Sequence, residues 1–182
     1  MKVTTPLGEA NLQEEIYGAV LRTLADNRYQ PKTLREVAAA NPTISSANVI
    51  QSAVILIAMG AVAVAQSEGE VKSVGKACAA LNRHICERAI FSNEVEVLAS
   101  PVIGSGVGVS RFKMLFMIAM AQNKRTPEEW AQQAWQIIDQ QGQKIIKDGA
   151  QLETAEANLA ELTSQAHAFL IRLPILKALM VA

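Results

Sequence analysis

The sequence predicts a mainly α-helical fold: an N-terminal winged-helix-like unit over residues 1–74, then a helical unit of about four helices over residues 75–182, with a minor β hairpin. Composition is the first reason, because 50% of the residues are hydrophobic but only 4% are aromatic, as in helices packed through Ala, Val, Leu and Ile. Apolar residues also recur at helical spacing along most of the chain. Several Ser, Thr or Asn residues stand three positions before a Glu, which is a helix-start signal.

Two helices are predicted at the start of the chain. Asn11 and Glu14 form a capping box for the first helix, which ends near residue 26. Its apolar face consists of Leu12, Ile16, Ala19, Val20 and Leu24. Thr33 caps a short second helix that ends before Pro42, since the residue preceding proline disfavours helical geometry.

A third helix lies within the longest uncharged stretch of the chain, residues 37–67. It begins after its cap Ser45 and ends at Gly60. The apolar residues 61–65 then predict a short strand, residues 67–70 a turn, and residues 71–74 a short returning strand. Three helices followed by a hairpin form the layout of a winged-helix domain.

The first helix of the second unit is predicted over about residues 75–91. Its inner face is expected to consist of Val74, Ala77, Cys78, Leu81, Ile85 and Ala89. Asn82 and Arg83 fall on its outer edge and are candidates for contacts with a partner. Farther along the chain, Trp130 has core spacing, whereas Trp135 faces away and marks a second contact surface.

Three further helices follow from local capping signals. Ser110 caps the first of them, and Thr126 with Pro127 begins the next, which is expected to extend to Gly149. Thr154 caps the last long helix, and Pro174 is expected to break or kink it. The apolar residues after the proline are expected to dock on the core.

The glycine-rich stretch 99–108 is interpreted as a flexible connection. It is superficially similar to the first motif of S-adenosylmethionine methyltransferases, in which a strand ends in an acidic residue before a glycine turn. No acidic residue directly precedes the glycines here, and Pro101 lies inside the would-be strand. Binding of S-adenosylmethionine through the Gly104–Gly108 loop therefore stays an alternative.

Charge gives no reason to expect a nucleic-acid partner, since Lys and Arg together number 17 and Asp and Glu together number 17. The third helix offers Asn48, Gln51 and Ser52 for base contacts but no cation, and the predicted hairpin adds only Lys72. A winged-helix DNA-binding transcriptional regulator is kept as an alternative function.

Membrane and metal sites are not expected either. The apolar run Ala53–Ala65 is shorter than the roughly 20 residues that span a bilayer. No apolar segment follows Lys2, so a signal peptide is not predicted and the expected location is the cytoplasm. Cys78, His84 and Cys86 point in different directions from one helix, so they predict no metal site.

Four stretches together resemble the methyltransferase regulatory domain found C-terminally in bacterial S-adenosylmethionine-dependent, protein-lysine-methyltransferase-like proteins. The resemblance covers nearly the whole chain from about Glu14 onward and includes no catalytic signature. The stretches are EEIYGAVLRTLADNRYQPKTLREVAA (14–39), LNRHICERAI (81–90), LASPVIGSGVGVSRFKMLF (98–116) and DGAQLETAEANLAELTSQAHAFLIRLPILKAL (148–179).

In that family a catalytic domain precedes the regulatory region, and this chain does not contain it. The resemblance therefore implies S-adenosylmethionine for an associated catalytic domain, no cofactor bound by this chain, and no catalytic residue here. Either the chain is a free-standing product or it is a fragment, and the opening Met1 favours the first.

The leading hypothesis is a non-catalytic regulatory or protein-interaction module associated with such a methyltransferase. Its expected partner is the catalytic domain or a protein substrate, with a homo-oligomer as a further alternative. The candidate interaction surface consists of Asn82, Arg83, Ser100, Gly104, Gly106, Gly108 and Arg111. If the third helix covers a partner domain, its apolar residues Val49, Ile50, Val54 or Ile57 should be exposed or covered by another copy, and not all four buried within the chain.

Overall fold

A computed structural model describes the backbone of residues 2–5 and 8–182, and side chains from residue 12 onward. Over these residues it confirms a mainly α-helical fold with minor β structure: seven helices and three short antiparallel hairpins. The chain forms two compact units, Met1–Gln66 and Ser67–Ala182. The division falls before the boundary near Val74 that the sequence suggested.

The N-terminal unit contains one hairpin and three helices. They are β1 (Lys2–Thr5), β2 (Gly8–Asn11), α1 (Glu14–Tyr29), α2 (Leu34–Ala40) and α3 (Ser46–Ala58). The predicted capping role of Asn11 is wrong, because this residue ends β2 and Gln13 occupies the N-cap position of α1. Regular helical geometry in α1 stops before Asp26, as expected, since Asn27 and Arg28 have φ of 54° and 58°.

Local capping and a small core hold these three helices together. Thr33 and Glu36 form a complete capping box at the start of α2, and the Ser45 hydroxyl accepts the Asn48 N–H at the start of α3. The buried core residues come from all three helices and are Tyr17, Val20, Val37, Val49 and Leu56.

The predicted winged-helix hairpin is wrong. After Gly60, which has a φ of 70°, residues 61–65 form no strand. Residues 71–74 lie inside α4 (Glu68–Ala89), because Ser67 and Glu70 form a capping box that starts this helix. The described part of the N-terminal unit therefore has its hairpin before α1 and none after α3, where a wing would lie.

The C-terminal unit contains four helices and two hairpins. They are α4 (Glu68–Ala89), β3 (Val97–Ser100), β4 (Ser105–Gly108), α5 (Arg111–Ala121), α6 (Pro127–Gln140), β5 (Ile146–Lys147), β6 (Ala150–Gln151) and α7 (Ala155–Ala178). In the larger hairpin, β3 and β4 pair in register from Val97 opposite Gly108 to Ser100 opposite Ser105.

One large apolar core organises this unit. Its aromatic centre places the Phe169 ring 5.8 Å from the Phe116 ring and 5.9 Å from the Trp130 ring, measured between centroids. Trp130 also donates its indole N–H to the Lys124 carbonyl oxygen, so its predicted core position is confirmed. The expected outward orientation of Trp135 is wrong, because this residue is only 8% exposed and belongs to the core.

Two helix ends differ from the sequence prediction. Helix α6 ends at Gln140, and Gly142 follows with a φ of 66°. Asp148 and Gly149, both with positive φ, then turn the chain between β5 and β6. Helix α7 instead continues through Pro174, although proline lacks an N–H donor and its ring crowds the carbonyl one turn earlier. The neighbouring Leu173 and Leu176 are buried in the core of the unit.

Candidate functional site

The C-terminal unit contains an open groove of about 820 Å³. Its walls come from α4 and from the end of α7 with the residues that follow, and its floor comes from the C-terminal half of α5. The lining residues are Ala79, Asn82, Arg83, Cys86, Glu87, Ile90, Met117, Ile118, Met120, Ala121, Gln122, Lys177, Met180, Val181 and Ala182. The predominantly apolar lining includes three methionines, whose flexible side chains can adjust to different apolar partners.

Helix α4 is rotated relative to the sequence prediction. Its buried residues are Asn82, Cys86 and Ala89, whereas Val74 and Leu81, both expected on the inner face, are 44% and 50% exposed. A polar residue therefore occupies the centre of the buried face, which apolar periodicity does not predict.

Asn82 faces inward because it pairs with the backbone of β3. Its Nδ2 donates to the Ala99 carbonyl oxygen over 2.8 Å, and its Oδ1 accepts the Ala99 N–H over 2.7 Å. The side-chain amide thereby takes the place of a neighbouring strand along this edge of β3. The predicted exposed position of Asn82 is wrong, since it is 5% exposed and positions α4 against the hairpin.

Ser100 fastens the end of the chain to the same hairpin. Its Oγ donates to the Leu179 carbonyl oxygen over 2.7 Å and accepts the Ile103 N–H over 3.4 Å. Ser100 is 2% exposed, so it is a positioning residue for the segment that carries Met180 and Val181 into the groove wall.

The three glycines of the candidate surface belong to the β3–β4 hairpin and do not form a flexible connection. Gly104 adopts a φ of 60° in the turn between the strands. Gly106 lies so close to the Val97 side chain that an added Cβ would overlap it, whereas a Cβ on Gly108 would meet open space. The stretch that looked like a cofactor loop is therefore a paired hairpin with one sterically required glycine.

Arg111 is a structural junction. Its guanidinium donates to the carbonyl oxygens of Ala89 and Ile90 over 2.8 and 2.9 Å, at the C-terminal end of α4. It also donates to the side-chain oxygens of Gln141 and Gln143 over 2.9 and 2.7 Å. Partial burial lowers the pKa of this guanidinium. Arg111 is therefore occupied within the chain and is not a free contact residue as predicted.

The start of α5 is capped by a side chain that is distant in sequence. Ser110 holds the N-cap position, as predicted, but its side chain makes no capping hydrogen bond. The Glu96 carboxylate accepts the Arg111 N–H instead, over 3.0 Å. The sequence could not indicate this partner, because it lies on the connection before β3.

Of the seven candidate residues, Asn82 and Arg83 line the groove, and Arg83 keeps an exposed side chain. Among the lining residues, Arg83 and Lys177 are cations and Glu87 is an anion. The methionines Met117 and Met120 were not singled out from the sequence. On an apolar helix such as α5, their spacing is equally consistent with burial in the core and with a position in a groove. The arrangement of the neighbouring helices shows that they face a groove.

The groove does not carry an evident nucleophile or metal site. Cys86 is 7% exposed, and burial together with the nearby Glu87 carboxylate raises its pKa to about 11, so the thiol is protonated near neutral pH. Within the part of the chain that the structure describes, no three His, Cys, Asp or Glu side chains converge as metal ligands.

The N-terminal unit presents an exposed apolar face on α3. Ile50, Val54 and Ile57 are 51%, 60% and 40% exposed, whereas Val49 is fully buried. The expectation that some of these side chains are exposed is confirmed. A smaller cavity of about 430 Å³ lies between α1 and α3 and is lined in part by the amides Gln13, Asn48 and Gln51.

No helix among the described residues combines the length and the apolar character needed to cross a bilayer.

The chain is similar to a protein from Synechocystis sp. (strain ATCC 27184 / PCC 6803 / Kazusa) described as "Uncharacterized protein sll1526". The two are 34% identical over 182 residues, which cover 98% of this chain and 35% of the Synechocystis protein. The chain therefore spans about a third of the length of this relative. No protein-family model matches the sequence. No solved structure matches it either.

Proposed function

We propose that this chain is a non-catalytic regulatory and protein-interaction module associated with an S-adenosylmethionine-dependent methyltransferase, and that its groove binds an apolar helical segment of a protein partner. The single observation that carries the interaction role is the groove between α4, α5 and the end of α7. A shallow apolar groove with a polar rim is a common receptor for the apolar face of a helix.

The architecture around the groove supports a binding role. Asn82 and Ser100 hold the walls in place through buried hydrogen bonds to β3 and to the Leu179 carbonyl oxygen. A wall fixed by such bonds loses little conformational freedom when a partner binds, so more of the contact energy is available for affinity.

The association with a methyltransferase rests on the sequence resemblance over residues 14–179. It is compatible with the length of the Synechocystis relative, about two thirds of which lies outside the matched region. The proposal includes the cytoplasmic location expected from the sequence. The alternatives gain no support from the geometry: residues 61–65 form no strand, residues 71–74 lie inside α4, and Gly106 packs against Val97 in a hairpin.

The test immobilises the purified chain, exposes it to a lysate of the organism that encodes it, and assays the captured fraction for transfer of labelled methyl groups from S-adenosylmethionine to protein. We expect methyl transfer with the wild-type chain and roughly tenfold less with Ala121→Arg. Ala121 lines the groove and is exposed, so the arginine obstructs the groove without entering the core.

Ala160→Arg is the matched control, because Ala160 is also an exposed helical alanine but does not line the groove. It should capture as much activity as the wild-type chain. Equal capture by Ala121→Arg, or no methyl transfer in the wild-type fraction, would contradict the proposal.

A further inference from the structure

The groove lies where one more helix could pack on α5, between α4 and α7. Helices α4 and α7 both pack on α5, but their backbones do not contact each other within the described C-terminal unit. The surface of α5 between them is therefore only partly covered, and Met117, Ile118 and Met120 lie there half-buried. A helix laid along this surface would complete the packing around α5.

The wall formed by α4 sets the length of that helix. Its lining residues Ala79, Arg83, Cys86 and Ile90 follow one another at three- and four-residue spacing, so they form one stripe along α4. From Ala79 to Ile90 the stripe is about 16 Å long, or roughly three helical turns. The small Ala79 and Cys86 side chains leave room for the close approach of another helix.

Each of the two walls of the groove carries one cation. Arg83 stands on the α4 wall and Lys177 on the α7 wall, and neither forms an ion pair among the described residues. Glu87, one turn from Arg83 on α4, is the anion of the lining. The lining therefore carries one cation on each wall and a single Glu, although the whole chain has equal numbers of acidic and basic residues.

We infer that the groove binds an amphipathic helix of about three turns whose apolar face is flanked on both sides by Asp or Glu. The carboxylates on the two flanks pair with Arg83 and Lys177, while the apolar face covers the methionine-lined floor. This inference rests on the proposed function, since it names the chemistry of the partner helix that the groove receives. Glu87 disfavours an acidic residue at one position on the α4 side, which gives the helix a preferred direction.

The experiment measures binding of four fluorescent helical peptides to the full chain by fluorescence anisotropy. Three peptides share one apolar face and differ only in their flanking residues, which are Glu, Gln or Lys; the fourth has Glu flanks and a scrambled apolar face. We expect the Glu-flanked peptide to bind on the order of fivefold more tightly than the Gln-flanked one, and the Lys-flanked one to bind most weakly. The difference should shrink as salt rises from about 0.05 M to about 0.5 M.

Charge reversal provides the sharper test. In the double variant Arg83→Glu/Lys177→Glu the order of the Glu- and Lys-flanked peptides should invert. The matched control is Arg35→Glu/Lys72→Glu, which changes the net charge equally at exposed positions outside the groove and should keep the wild-type order. Circular dichroism of both variants verifies that they are folded.

Each contrary result has a distinct meaning. Equal binding of the three peptides with the same apolar face overturns the inference about acidic flanks and leaves the proposed function intact. If none of them binds better than the scrambled peptide, the helix-binding role of the groove fails as well. A concentration-dependent dimer that Ala121→Arg abolishes, seen by analytical ultracentrifugation, would assign the groove to a second copy and overturn the inference.

Discussion

Replacement of Asn82 by alanine should destabilise the C-terminal unit, because it removes both hydrogen bonds to the Ala99 backbone, at 2.8 and 2.7 Å. The Ala99 N–H and C=O are then left without partners at a half-buried position. Each unpaired group costs about 1–1.5 kcal/mol where water retains some access, so the free energy of unfolding should fall by about 2–3 kcal/mol. For a unit of this size we expect a decrease of about 10 °C in Tm.

Two measurements check this prediction. Thermal unfolding gives the loss of stability, and amide hydrogen exchange reports on the Ala99 N–H directly, since its protection depends on the Asn82 oxygen. The control is Asn93→Ala at an exposed position, which should change stability by less than about 0.5 kcal/mol. If Asn82→Ala costs no more than the control, or if the Ala99 amide keeps its protection, the positioning role of Asn82 is refuted.

The remaining predictions concern the β3–β4 hairpin, the Cys86 thiol and cofactor binding. Gly106→Ala should destabilise the protein by about 1–3 kcal/mol, because the new Cβ overlaps the Val97 side chain, whereas Gly108→Ala should have little effect on thermal unfolding. Cys86 should react with a thiol reagent more slowly than the half-buried Cys78 near neutral pH and accelerate as the pH approaches 11; equal rates would contradict its burial. The same upward shift of the Cys86 pKa, from 9.0 to about 11, should reduce stability as pH rises through that window, because the unfolded thiol ionises first. Isothermal titration calorimetry should detect no binding of S-adenosylmethionine to the purified chain, and a micromolar dissociation constant would overturn the non-catalytic proposal.

The sequence predicts the features of this fold that depend on short-range contacts. Thr33, Ser45, Thr126 and Thr154 each cap a helix as expected, because the hydroxyl and the N–H that it accepts are only a few residues apart. The prediction fails at Ser67: the same capping signal stands there, but the strand predicted at residues 61–65 made residues 67–70 look like a hairpin turn.

The candidate site depends on contacts that cross the fold, so the sequence could not define it. Asn82 reaches Ala99 and Ser100 reaches Leu179, and nothing in the local pattern around Asn82 or Ser100 indicates those partners. Two of the residues singled out from the sequence, Asn82 and Arg83, line the groove. It could not distinguish polar residues that build the walls from those that remain free on the rim.

Arg111, at the start of α5, connects three separate segments through its hydrogen bonds. It joins its own helix to the end of α4 and to the connection after α6. Such a junction requires a planar side chain with several N–H donors in fixed directions. Lysine would preserve the positive charge at this position but could not serve the same set of acceptors. Local unfolding of one of these segments should therefore break the hydrogen bonds that hold the other two. We expect the three segments to unfold as one cooperative unit.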